Sequence, residues 1–137
     1  MAMASSIRPF EGRRILVVDD NPTNIKLLSI ALEYLGAAAV ATATTISTAQ
    51  QLLTNAPAPD LALLDHRLSA TETSITLANW MRTQPHLQRT VRVSLSSTPP
   101  EVIMQGQPAD LFADFLSKPV GWRSLANRLL SLLPARN

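Results

Sequence analysis

Two kinds of apolar pattern alternate along the chain. Short continuous runs, Ile15-Leu16-Val17-Val18 and Leu61-Ala62-Leu63-Leu64, are too brief for helices and read as strands buried on both faces. Between such runs, apolar residues recur at steps of three and four. Ile25, Leu28, Leu32 and Leu35 form one such helical stripe. The pattern predicts strand one over 14–19, then a helix opened by Asn21 and Pro22 and stopped by Gly36. An Ala-rich second strand follows over 37–43, and Ile46, Ala49 and Leu52/Leu53 predict a helix over 44–55. Ala56-Pro57-Ala58-Pro59 breaks the chain before strand three, 60–65. A polar loop over 66–73 leads to a helix over 74–82, and strand four covers 90–97. Pro99-Pro100 opens a short helix to about Gln105, strand five covers 111–116, and Trp122, Leu125, Leu129 and Leu132 mark the last helix, closed by Pro134. Strands alternating with helices five times predict an α/β domain, a doubly wound parallel sheet with right-handed crossovers.

Composition narrows this picture. The 137 residues, 46% apolar and 16% charged, suit one domain with a real core, expected over 13–134 behind a lead-in of 1–12 and before a tail of 135–137. The absence of cysteine excludes disulfides, zinc–thiolate sites and thiol nucleophiles, and two separated histidines cannot build a histidine-rich metal site. The apolar runs are shorter than a membrane span, and Met1–Ser6 lacks the basic flank and apolar core of a secretory signal. Ten Arg against two Lys give a net charge of +2, but the arginines are dispersed and aromatics make up only 4%. That favours a solvated basic surface or an acidic protein partner over nucleic acid.

The candidate chemistry lies at the strand ends. Strand one delivers Asp19 and Asp20 to the carboxyl edge, where ligands of open α/β sheets bind. Two carboxylates 4 Å apart repel by about 4 kcal/mol at an effective dielectric of 20, so a cation should offset them. Read alone, either acid could instead cap the following helix. Strand three adds Asp65, strand four the hydroxyls of Ser96 and Ser97, and strand five the ammonium of Lys118. Hard oxygen ligands of this kind hold Mg²⁺, which readily takes phosphate oxygens. Asp65, alone at its strand end, is the best nucleophile for forming an aspartyl phosphate, with Lys118 and Ser96 stabilising the transferring phosphoryl oxygens.

These residues resemble the receiver domain of two-component response regulators and hybrid histidine kinases. The resemblance rests on Ile15-Leu16-Val17-Val18-Asp19-Asp20-Asn21-Pro22, the Asp65 strand end, Leu95-Ser96-Ser97 and Phe115-Leu116-Ser117-Lys118-Pro119. The spacings also match: 45 residues from Asp20 to Asp65, 31 more to Ser96 and 22 more to Lys118. It implies a flavodoxin-like sheet of order 2-1-3-4-5, with Asp65 as the phosphoacceptor for a phosphohistidine donor. Asp20 and Asp65 would bind Mg²⁺ directly, Asp19 mainly through water, and the backbone carbonyl of Arg67 would add a ligand. Ser96 would be the switch hydroxyl, Phe115 the aromatic switch, and Lys118 the phosphoryl partner, placed by a cis bond before Pro119. Phe115 could equally be a core residue, and Trp122 and the helix near Pro99 could line a partner surface.

The loop after Asp65 departs from the family pattern of Met-Pro followed by Met-Asp-Gly. Here it reads His66-Arg67-Leu68-Ser69-Ala70-Thr71-Glu72-Thr73, without the residues that fix and relax φ. Arg67 also sets a large cation beside the expected phosphorylation site, where it could pair with the phosphoryl group. A full-length fourth helix is not expected. The lead-in and Asp20-Asn21-Pro22-Thr23-Asn24 look like receivers fused behind a histidine kinase. The expected partners are therefore a histidine kinase core and a histidine phosphotransfer domain, in the cytoplasm, with no direct nucleic-acid or membrane contact. The resemblance implies a self-phosphorylating module, part of a hybrid histidine kinase rather than a stand-alone enzyme. Two rivals remain: a phosphorylation-silent receiver-like interaction domain, which the odd loop would suit, and an aspartate-nucleophile phosphatase. The latter needs carboxylates two residues apart on strand one, where this chain has them adjacent.

Overall fold

The first apolar run forms the second strand in space of a five-stranded parallel sheet. The computed structural model describes residues 10–118 and 121–133, without the side chains of 122–124. The elements are β1 (Arg14–Val18), α1 (Pro22–Tyr34), β2 (Ala39–Ala43), α2 (Ile46–Asn55), β3 (Leu61–Asp65), α3 (Ser74–Arg82), β4 (Val91–Ser96), α4 (Pro100–Ile103), β5 (Asp114–Ser117) and α5 (Trp122–Leu132). The sheet order is β2-β1-β3-β4-β5, as expected, with every pairing parallel.

Alternation along the strands splits the core into two layers. Leu16, Val18, Ala62 and Leu64 face α2 and α3, where Ala49, Leu53, Leu77, Ala78 and Met81 cover them. Ile15, Val17, Leu61 and Leu63 face the other way, toward Leu28 and Leu32 of α1 and Leu125 and Leu129 of α5. Past the exposed Arg14, β1 and β3 are buried on both sides, which is why Ile15–Val18 and Leu61–Leu64 carry no polar position before the terminal acids. From β1 the chain winds first to β2 on one side and later to β3 on the other, so a crevice opens where these strands end.

β1, α2, β3 and β4 are one or two residues shorter than expected, and three further differences have a clear physical cause. β2 starts at Ala39 because the end of α1 consumes the preceding residues. Gly36, at φ 107°, bonds the Glu33 carbonyl, and the Ala37 N–H bonds that of Leu32. β5 starts at Asp114 instead of 111. Leu111 and Phe112 are buried in the α2–α3 layer, but as a packed loop. The Asp110 and Leu111 carbonyls accept from the Arg92 guanidinium at 3.0 and 2.8 Å, and the Ala113 N–H bonds the Arg92 carbonyl at 2.7 Å. Burial alone does not distinguish such a loop from a strand. α4 is only four residues long, shorter than the helix to about 105 that the prolines suggest. The loop behind it is tied to α3 by Asn79–Gln107 at 3.1 Å and Arg82–Asp110 at 3.0 Å.

Residues 10–12, read as lead-in, belong to the packed structure. Phe10 is fully buried against α1 and α5, and Gly12 at φ 77° turns the chain into β1. Residues 1–9, the bond before Pro119, Pro134 and the tail 135–137 lie outside the described residues, as does the Trp122 side chain.

Candidate functional site

Backbone ladders carry the site residues just past the strands. The Asp19 N–H bonds the Ala43 carbonyl at 3.1 Å, extending the β1–β2 ladder by one residue, and Asp19 is almost fully buried. One of its oxygens, Oδ1, accepts the Asn21 N–H at 2.9 Å; the other, Oδ2, is buried without a hydrogen-bond partner. Asn21 itself caps α1, accepting from the N–H groups of Thr23 and Asn24 at 2.9 and 3.4 Å. That leaves Asp20, which is exposed, free of capping duty.

Asp65 ends β3 and is 5% exposed. On the neighbouring edge, the Lys118 N–H bonds the Ser96 carbonyl at 3.1 Å, continuing the β4–β5 ladder and aiming its side chain back across the crevice. Lys118 Nζ lies 2.5 Å from Asp65 Oδ1 and 4.0 Å from Asp19 Oδ2. Asp19, Asp20 and Asp65 each place a carboxylate oxygen within 4.8 Å of the others. Burial pushes the Asp65 carboxyl above its ordinary range. The hydrogen bond and charge of Lys118 oppose this, while the charges of Asp19 and Asp20 add to it. Three carboxylates against one ammonium leave a negative excess, and the orphaned Asp19 Oδ2 lacks a donor. An oxygen-only donor set with that excess fits a hard divalent cation such as Mg²⁺.

Response regulator receiver domains match residues 15–130. The chain belongs to that family.

Solved structures of similar fold include the chemotaxis protein CheY4 of Vibrio cholerae, at 23% identity and a TM-score of 0.78 over 89% of this chain and 99% of that one. The receiver domain of a sensor histidine kinase from Pseudomonas aeruginosa, solved with a magnesium ion coordinated in its active-site cleft, gives 24%, 0.74, 89% and 97%. The signal receiver domain of a signal transduction histidine kinase from Syntrophus aciditrophicus gives 24%, 0.73, 92% and 96%. At these identities the likeness speaks for the fold. No curated protein matches the sequence. Receivers work in two-component signalling, opposite histidine kinases and phosphotransfer partners.

Within this receiver, Ser96 sits one residue beyond Leu95, the cross-strand partner of Asp65. It is buried, and its Oγ accepts the Thr98 N–H at 2.7 Å. Phe115 pairs with Ser94 on β4, so it shares a sheet face with Ser96, two residues on. It is half-buried and meets Phe112 edge-on, with ring centroids 5.6 Å apart. No helix among the described residues is long and apolar enough to cross a membrane.

Sequence reasoning missed how the 66–73 loop is built. An antiparallel bridge pairs Arg67 with Thr73, made by Ser74 N–H to the His66 carbonyl and Leu68 N–H to the Glu72 carbonyl, at 2.8 and 3.0 Å. The Arg67 carbonyl is not spent in that bridge. Ser69 Oγ closes the tip, accepting from the N–H groups of Thr71 and Glu72 at 3.2 and 3.0 Å. Ser69 followed three residues later by Glu72 was the available signal. The loop thus turns tightly with neither Pro nor Gly and with no non-glycine residue at positive φ among the described residues. His66, also missed, is buried with Nδ1 unpartnered, and burial, aided by Arg67, holds its pKa below the usual histidine value.

Proposed function

We propose that this receiver takes a phosphoryl group from a phosphohistidine onto Asp65 and thereby switches its partner interactions. The observation that carries this reading is the placement of Lys118 Nζ 2.5 Å from Asp65 Oδ1 inside a three-carboxylate pocket. An Asp65 oxygen attacks phosphorus, the bond from phosphorus to the donor imidazole nitrogen breaks, and its electron pair stays with the imidazole. Lys118 is close enough to follow the charge onto the phosphoryl oxygens as its carboxylate partner is esterified. Asp19, Asp20, Asp65 and the Arg67 backbone carbonyl would hold Mg²⁺, which when bound neutralises the pocket and the incoming phosphoryl oxygens. The Ser96 hydroxyl would donate its hydrogen to a phosphoryl oxygen, and Phe115, already edge-on to Phe112, would move inward as Ser96 shifts. The 13–134 module would belong to a hybrid histidine kinase, on the cytoplasmic side, facing a kinase core and a histidine phosphotransfer domain. No direct nucleic-acid or membrane contact is assigned to it. The phosphorylation-silent reading draws no support from Lys118, which points into the pocket rather than away from it.

Intact-mass analysis after incubation with Mg²⁺ and acetyl phosphate tests the reading. The native chain should gain one phosphoryl group and Asp65→Asn none. If neither acetyl phosphate nor a phosphohistidine donor yields an adduct, the phosphoacceptor reading is overturned.

A further inference from the structure

Helix α1 is apolar on two opposite faces. Leu28 and Leu32 are buried against the sheet. On the far side, Leu27 is 53% exposed, Ile30 55% and Tyr34 84%. Among the described residues only five large apolar side chains are exposed, and these are three of them. By contrast α2 turns Ser47, Thr48, Gln51 and Thr54 to solvent. At 3.6 residues per turn, Leu27, Ile30 and Tyr34 fall on one stripe about 60° wide. Lys26 and Glu33, both exposed, flank that stripe on one side. They are seven residues apart, roughly 10 Å along the helix, too far to pair with each other. Among the described residues neither has an ion-pair partner.

We propose that this face pairs with the same face of a second copy of the chain, α1 against α1, antiparallel about a two-fold axis at Ile30. The spacing of the charges and of the apolar residues carries the choice of occupant. Lys26 and Glu33 are seven residues apart, as are Leu27 and Tyr34, and both pairs are centred within one residue of Ile30. An antiparallel two-fold reverses the helix direction but keeps each flank on its own side. Lys26 of one copy therefore meets Glu33 of the other, twice, while Leu27 meets Tyr34 twice and Ile30 meets Ile30. A parallel two-fold would lay the charged flank over the apolar one. The face is thus complementary to itself in sign and in polarity, as an isologous contact requires. One helix pair buries less than the roughly 1,200 Å² of a stable interface, so the dimer is weak, with a Kd on the order of 100 μM. The pairing uses no pocket residue and does not depend on phosphorylation of Asp65.

Sedimentation velocity of the full chain across that concentration range tests the proposal. The native chain should pass from monomer to dimer. Ile30→Ser should weaken association at least about tenfold, since both copies lose a buried Ile. Tyr34→Ser should act in the same direction. Both positions are exposed in the monomer, so their melting temperatures at low concentration should match the native value. Lys26→Glu sets like charges opposite each other and should weaken association about fivefold; adding Glu33→Lys to it should restore the native Kd, because the pairs re-form with signs exchanged. Val102→Ser, which removes an exposed apolar side chain from α4, should leave the Kd unchanged. A chain that stays monomeric throughout overturns the proposal and leaves the stripe to a partner of different sequence. A dimer that survives Ile30→Ser and Tyr34→Ser, or dissolves on Val102→Ser, runs through another face and overturns it too. Failure of Glu33→Lys to rescue Lys26→Glu overturns the antiparallel register.

Discussion

At the scale of the residue, Asp65 is ionised at a cost to the fold. Burial first, then the charges of Asp19 and Asp20, raise its pKa, and Lys118 only partly offsets them. A carboxyl whose folded pKa lies above its unfolded one contributes stability that is complete below the ordinary carboxylate range. That contribution is lost as pH rises through the folded value. At neutral pH the ionised group is therefore unfavourable in the metal-free protein. Asp65→Asn should raise the melting temperature at neutral pH in the presence of a chelator, and the gain should vanish as pH falls into the ordinary carboxylate range. Thermal melts across that pH series decide it. A variant that melts lower at neutral pH would mean that the Lys118 pairing outweighs the burial. The candidacy of Asp65 was legible from its lone place at a strand end. The capping role of Asn21 was legible too; that Asp19 spends one oxygen on the Asn21 N–H while Asp20 takes no part was not, because Asp and Asn both cap helices and only the hydrogen bonds separate them.

At the scale of the element, the loop after β3 shows one side chain doing the work of two missing residues. Ser69 accepts two N–H groups at the tip, and the bridge below holds Arg67. Ser69→Ala should lower stability by about 1 kcal/mol, the typical loss for an oxygen that satisfies turn or cap donors. It should also weaken Mg²⁺ binding measured by isothermal titration, because the Arg67 carbonyl would no longer be fixed. Unchanged affinity would remove that carbonyl from the ligand set. α1, α2, α3 and α5 and β1, β3 and β4 followed from period and capping chemistry, since a buried stripe or run leaves few alternatives. β5 was misplaced because Leu111 and Phe112 are as buried as strand residues. What makes them a loop is Arg92, nineteen positions away from Leu111 in the chain, whose guanidinium bonds the carbonyls of Asp110 and Leu111.

At the scale of the whole molecule, the pocket joins β1, β3 and β5 across the centre of the sheet, so a cation bound there ties separate strands together. Any ligand that binds only the folded state stabilises it, by about 2.7 kcal/mol at a hundred times its Kd. Mg²⁺ should therefore raise the melting temperature of the native chain, and a chelator should reverse the shift. Asp20→Asn should largely abolish the Mg²⁺ effect while leaving the metal-free melting temperature little changed, because Asp20 is exposed and does not cap α1. Calorimetry with and without Mg²⁺ checks both. An undiminished Mg²⁺ shift in Asp20→Asn would place the cation elsewhere.

By itself the sequence determined the doubly wound class, the alternation of strands and helices, and the set of groups that reach the carboxyl edge. Each of these depends on local period, on turn residues or on which side chain ends a strand, and such preferences act over a few residues. Only the tertiary structure decided that Lys118 meets Asp65 across 53 positions and that Asp19 keeps an orphaned oxygen. It also decided that Phe10 belongs to the core and that a bridge to Thr73 holds Arg67. These depend on strand register and on hydrogen bonds between distant segments, which local pattern does not encode.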